Sequence, residues 1–181
     1  MKTVLILSSF ALVACLACQS APKGGGPTEP AAPISADGLT VDQVLDDWHL
    51  AASEVDADRY LGFLAEDSIF LGTDPGERWD KAQFTGYVDH YFKNENRGWT
   101  YRPSERNVSF APNGRLAWFD ERLDNDRVGA LRGTGVLELQ NSGWRILHYS
   151  MTFAIPNGKV DAMVIELGLA PADPAAPEPG Q

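Results

Sequence analysis

His148, Ser150 and Thr152 occupy every second position of the stretch WRILHYSMTF, Trp144 to Phe153, which is rich in β-branched, aromatic and apolar residues and free of Gly and Pro. Side chains two apart on a strand share a face, so this imidazole and two hydroxyls are expected to line up with Trp144 and Ile146. A face of that mixed character suits a pocket wall that orients a ligand or moves a proton. The other side, Arg145, Leu147, Tyr149, Met151 and Phe153, is mostly apolar. A second chemically dense stretch is FDERLDND, beginning at Phe119. Alternation sends Asp120 and Glu121 to opposite faces, so only one of them can join His148. An inward Asp120 beside Trp118 would be desolvated, the condition under which a carboxyl group moves protons near neutral pH. Asp120 and His148 are therefore the candidate catalytic pair. Their plainer roles are a hydrogen-bonded wall histidine and, for Asp120 or Glu121, an ion pair with Arg122 or Arg132.

Trp48 and Tyr60, on the first two predicted helices, are candidates to line a pocket, with the Tyr60 hydroxyl free to donate to a carbonyl-bearing ligand. Asp67 would sit at the pocket mouth or serve as a turn residue. Together with Trp118, Ser150 and Thr152 they make up the candidate ligand-binding set. His49, His90 and His148 have no metal-type spacing, and the dinucleotide, phosphate-loop, nucleophile-elbow and zinc-protease motifs are absent. No metal and no cofactor is expected.

These residues have to be positioned by the elements around them. TVDQVLDDWHLAASE opens with a capping pair, Thr40 and Gln43, followed by a helical stripe of Val41, Val44, Leu45, Trp48, Ala51 and Ala52. Asp56 caps a second, shorter helix through ADRYLGFL, and DSIFLGTDPGE reads as a strand running into a turn at Pro75 and Gly76. Asp80 and Gln83 cap a third helix carrying Phe84, Tyr87, Val88, Tyr91 and Phe92. From Gly98 onward the period becomes two, and turn chemistry at APNGR, DNDRVG and QNSG separates long strands. IPNG closes the last strand, and VDAMVIELGLA adds a terminal helix. The expected fold class is α+β, with three N-terminal helices packed on one face of a strongly curved mixed or antiparallel sheet.

This order of elements, with AWFDERLDN (Ala117–Asn125), RGTGVLEL (Arg132–Leu139) and WRILHYSMTFAIPN (Trp144–Asn157), resembles the SnoaL-like branch of the nuclear transport factor 2-like superfamily. The resemblance covers nearly the whole domain. It implies a cone in which the helices cover the concave face of a bent sheet over a deep pocket, often with dimerisation through the convex face. This chain has Ser150 where many relatives carry a second histidine. The superfamily includes ketosteroid isomerase, polyketide cyclases and scytalone dehydratase beside members that only bind, so fold alone does not choose an activity.

The 181-residue chain is 44% hydrophobic with a formal net charge of -10, which argues against a nucleic-acid or anionic-lipid surface, since phosphate contact needs clustered Lys and Arg. Lys2 followed by an apolar run from Thr3 to Ala14 reads as a signal peptide, too short to span a bilayer. LVAC, Leu12 to Cys15, resembles a bacterial lipobox, which makes Cys15 the expected lipidation site; CLAC, ending at Cys18, is the alternative. The expected organisation is a signal peptide over 1–14, a disordered tether over 15–37, the folded domain over 38–169 and a disordered tail over 170–181. The expected location is the bacterial cell envelope, with membrane contact through the lipid anchor only. An apolar outer sheet face predicts a homodimer through the convex side. The leading functional expectation is a pocket for a small apolar or amphipathic ligand with no reaction of its own. The alternatives are an isomerase, cyclase or dehydratase using a pocket carboxylate with His148, and a dimeric assembly module with a filled pocket.

Overall fold

The computed structural model describes residue 33 and residues 38–169. The signal-peptide, lipidation and tail expectations, including Cys15 and Cys18, lie outside the described residues. Helix α1 spans Val41–Ser53 and starts at the expected capping box, with Thr40 and Gln43 bonding each other's backbone N–H groups. Its buried stripe holds Val41, Val44, Leu45, Trp48, Ala51 and Ala52, as the helical period requires, and adds His49. Helix α2, Ala57–Gly62, is capped by Asp56 and ends before Phe63. Strand β1, Leu64–Leu71, thus begins inside the segment expected to finish the helix. A short strand β2, Arg78–Asp80, precedes helix α3, Lys81–Asp89, whose capping box is Asp80 with Gln83. The chain then widens into a π-helical turn over His90–Asn94, which keeps Phe92 in the core.

Four long strands follow: β3 Arg102–Phe110, β4 Leu116–Asn125, β5 Gly129–Gln140 and β6 Gly143–Phe153. The sheet order is β2-β1-β6-β5-β4-β3, antiparallel except where β1 runs parallel to β6. This is the mixed α+β sheet expected from the sequence. Helix α4, Val160–Glu166, buries no residue. Helices α1, α2 and α3 cover one face of the sheet, and the core lies between them and it, built on Leu45, Trp48, Phe84, Leu137, Trp144 and Tyr149.

One register feature decides which residues the core receives. Across β5 and β6, Val136 pairs with His148, whereas Leu137 pairs with Ile146, so Leu147 is an extra residue bulged out of the ladder. Trp144 and Ile146 point inward before the bulge, and Tyr149 and Met151 point inward after it. A one-residue shift exchanges the two faces of a strand. His148 pairs across the sheet with Val136, which pairs with Trp118, and all three lie on the convex face.

Candidate functional site

The concave side holds a buried carboxylate. Strand β4 alternates strictly, with Ala117, Phe119, Glu121 and Leu123 buried and Trp118, Asp120 and Arg122 exposed. Glu121 is 0% exposed. Its Oε1 accepts from His49 Nε2 at 2.9 Å and from the Tyr149 hydroxyl at 3.1 Å. Its Oε2 accepts from Arg106 Nε at 2.9 Å and lies 2.8 Å from Arg106 Nη2. Arg106 comes from β3 and reaches back to helix α1, where Nη1 meets Asp46 at 2.8 Å and the Asp42 carbonyl at 3.1 Å.

Burial works to raise the Glu121 pKa, but the hydrogen bond and charge of His49 and the Arg106 guanidinium together outweigh it and hold the carboxyl below its usual value. Glu121 is therefore an ionised, saturated acceptor that ties α1, β3, β4 and β6 together. Gly133 on β5 makes room for it: a Cβ there would lie 2.3 Å from the Tyr149 hydroxyl and 2.9 Å from Glu121 Oε1. Burial raises Tyr149 and Tyr60 well above the usual tyrosine range, and Tyr87 to about 12, so these phenols act as neutral hydrogen-bonding groups near pH 7.

Beside this network, under the helices, opens a cavity of about 510 Å³. Its wall is strongly aromatic. Trp48 stacks on Tyr60 with centroids 5.0 Å apart and planes 5° from parallel, and Phe70 stacks on Phe84 at 4.1 Å. Trp79 contacts Tyr87 at 4.8 Å, and Trp99, which also lines the cavity, lies 5.9 Å from Tyr87. His49 lines the cavity while its Nε2 is held by Glu121. Glu77, Arg97, Asp126 and Arg127 also line the cavity, with Arg97 set over the Tyr91 ring at 4.3 Å. Among the described residues no group of three or more potential ligands could hold a metal ion, and no helix is long and apolar enough to cross a membrane.

The structure brings two of the sequence-derived candidates, Trp48 and Tyr60, into this cavity. Asp120 projects from the convex face and accepts from Asn107 at 3.1 Å, so the inward carboxylate of that pair is Glu121. The arginine that pairs with Glu121 is Arg106, whereas Arg122 sits 3.7 Å from Glu105. His148, Ser150 and Thr152 are turned outward by the bulge at Leu147, and the side expected to form the dimer contact supplies Tyr149 and Met151 to the interior. Trp118 is 50% exposed on the outer face, and Asp67 is exposed on β1. His49 and Arg106 did not stand out as site residues in the sequence. Their signals were modest: a histidine next to Trp48 on an apolar helical stripe, and an arginine two positions before Val108 on an alternating strand.

A family model for the SnoaL-like domain matches residues 41–156. The chain belongs to the SnoaL-like family. Among solved structures, this SnoaL-like chain is similar to an NTF2-like protein of unknown function from Pseudomonas putida KT2440, with TM-score 0.54 and 16% identity over 65% of this chain and 86% of that one. A Nostoc punctiforme protein of unknown function with a cystatin-like fold gives TM-score 0.54 and 15% identity, covering 67% and 94% of the two chains. A Novosphingobium aromaticivorans protein named "Putative Scytalone Dehydratase" gives TM-score 0.53 and 9% identity, covering 64% and 82%. At such identities the likeness is one of fold. No curated protein matches the chain.

Proposed function

We propose that this SnoaL-like domain is a small-molecule binding module of the cell envelope, tethered through a lipidated Cys15, whose pocket takes one flat apolar or amphipathic molecule without transforming it. The observation that carries this reading is the contrast inside the cone. The cavity of about 510 Å³ has stacked aromatic rings on one part of its wall and Glu77, Arg97, Asp126 and Arg127 on another, while the one fully buried carboxylate among the described residues is already satisfied by His49, Tyr149 and Arg106. A carboxylate held ionised by an arginine and two further donors is a weak proton acceptor. A pocket of this size lined by aromatic side chains buries most of a two- or three-ring compound.

The test is titration with 2-acetylnaphthalene, followed by tryptophan fluorescence. Saturable one-to-one binding with Kd in the range of about 1–100 μM is expected. No saturable response to this or to any other planar aromatic compound would overturn the reading. Cys15→Ser is expected to move the full chain from the membrane fraction to the soluble one; continued partitioning would assign the anchor to Cys18 or elsewhere. The convex face, with Trp118 exposed on it, is the surface through which two copies pair, so Trp118→Glu is expected to halve the mass measured by light scattering.

One observation favours a second, catalytic reading. His49 lines the cavity with one ring nitrogen held by Glu121 and, among the described residues, no other hydrogen bond, the arrangement of a positioned proton-transfer group. Under that reading His49, and not His148, moves the proton. Turnover of a cyclic ketone substrate that is lost in His49→Gln and retained in His148→Gln would establish it.

A further inference from the structure

Trp144 is 0% exposed, and its indole N–H finds an acceptor outside the helices and strands, in the Pro33 carbonyl at 3.3 Å. Pro33 precedes α1 and falls within the segment 15–37 expected to act as a tether. The proline ring is received as well. Gly114, at φ +66°, leaves the room that the ring uses: a Cβ there would lie 3.3 Å from Pro33 Cγ. Phe110 borders the same place, its ring centroid 6.0 Å from that of Trp144. A buried indole N–H is seldom left without an acceptor, so the fold supplies the donor here and the tether the acceptor. These residues gather at one end of the sheet, where Gly114 lies in the turn from β3 to β4 and Trp144 opens β6. The cavity is lined from the other end, by Asn125 and Asp126 at the close of β4, Gly72 and Thr73 after β1, and Met151 late in β6. The ten residues of β4 separate the two ends, a span of about 30 Å.

We propose that Phe110, Gly114 and Trp144 form a seat for the tether at Pro33, which fixes where the chain toward Cys15 leaves the domain and holds the cavity end of the sheet away from the membrane. The orientation rests on the lipid-anchor reading above; the seat does not. Proline suits such a strap, because its fixed φ lowers the cost of ordering it and its missing N–H leaves no donor to satisfy. The cavity then opens toward the aqueous side, and a molecule reaches it without passing between the domain and the bilayer.

The seat is tested in the full chain carrying Cys15→Ser, which takes the anchor out of the measurement. Pro33→Gly keeps the carbonyl but removes the ring and the restriction on φ. In the nitrogen-15 spectrum the Trp144 indole signal, assigned through its contact with Phe110, is expected to shift, and its hydrogen exchange to quicken about fivefold or more. The Trp79 signal is expected to stay in place. An unchanged Trp144 signal and exchange rate would overturn the seat and the orientation with it. The orientation is tested with the lipidated full chain carrying Cys18→Ser, in phosphatidylcholine vesicles that hold an acceptor-labelled lipid. Asn113 and Asp124 are exposed near the two ends of β4. A donor dye on Asn113→Cys is expected to transfer more energy to the bilayer than one on Asp124→Cys, and Pro33→Gly is expected to shrink the difference. Equal transfer, or greater transfer from Asp124→Cys, would overturn the orientation. Transfer from neither position would overturn the anchor reading and the orientation with it, while the Trp144 result still decides the seat.

Discussion

Asp120 and Glu121 are adjacent in the chain and opposite in circumstance. Glu121 points into the cone, fully buried, and is met by three side chains; Asp120 points out from the convex face and meets one asparagine. The same division separates Tyr149 from His148 on β6. The concave face is built from groups that depend on one another, and the convex face from groups that stand largely alone. Chemistry-bearing residue types are thus no guide to the site until the face is known. The convex surface holds a histidine, a carboxylate, a tryptophan and two hydroxyls without assembling a site from them.

The contrast can be broken most forcefully at Glu121. Glu121→Leu leaves His49 and the Nε of Arg106 without their acceptor, with only the Nη1 contacts of Arg106 to Asp46 and Asp42 remaining, and is expected to cost about 3–5 kcal/mol in urea unfolding, whereas Asp120→Ala is expected to stay within about 0.5 kcal/mol. Equal effects at the two positions would mean that the buried network is not what holds the concave face. Next in size is Gly133→Ala. Its Cβ would intrude on the Tyr149 hydroxyl and Glu121 Oε1, for an expected loss of about 1–3 kcal/mol.

A smaller effect sharpens the electrostatic side of the comparison. Because the Glu121 pKa is lowered in the folded chain, its contribution to stability is complete above the unfolded value of 4.5 and fades as pH falls through the folded value. Unfolding free energy is therefore expected to decline below about pH 5, more steeply in the wild type than in Glu121→Gln. Parallel curves would remove Glu121 from the account. The smallest expected effect is that of His148→Ala, within about 0.5 kcal/mol and with ligand affinity unchanged.

The fold was largely legible in the sequence because capping pairs and hydrophobic periods act locally. Thr40 with Gln43, Asp56 and Asp80 with Gln83 start their helices where the residues predict. The site was legible on β4 and hidden on β6. Ala117, Phe119 and Leu123 form an apolar every-second-residue row, and Glu121 sits within it, so the burial of Glu121 was already written in that alternation. On β6 the same reasoning failed, because the bulge at Leu147 changes the phase of the strand and no local signal such as Gly or Pro marks it. It arises from the pairing with β5, where Leu137 and Val136 bracket the extra residue. Arg106 was hidden for a related reason: its partners Asp46 and Glu121 are brought to it only by the packing of α1 across β3 and β4.

The central claim is that ligand enters the aromatic concave pocket and leaves the convex face untouched. The five tryptophans report on both sides at once. Trp48, Trp79 and Trp99 line the cavity, Trp118 stands on the outer face, and Trp144 is buried with its indole N–H donated to the Pro33 carbonyl at 3.3 Å. The most direct measurement is the nitrogen-15 spectrum of the indole groups during titration with 2-acetylnaphthalene. The account predicts that the Trp79 and Trp99 signals move in step with saturation while Trp118 stays in place; a shift led by Trp118, with Trp79 and Trp99 fixed, would contradict it.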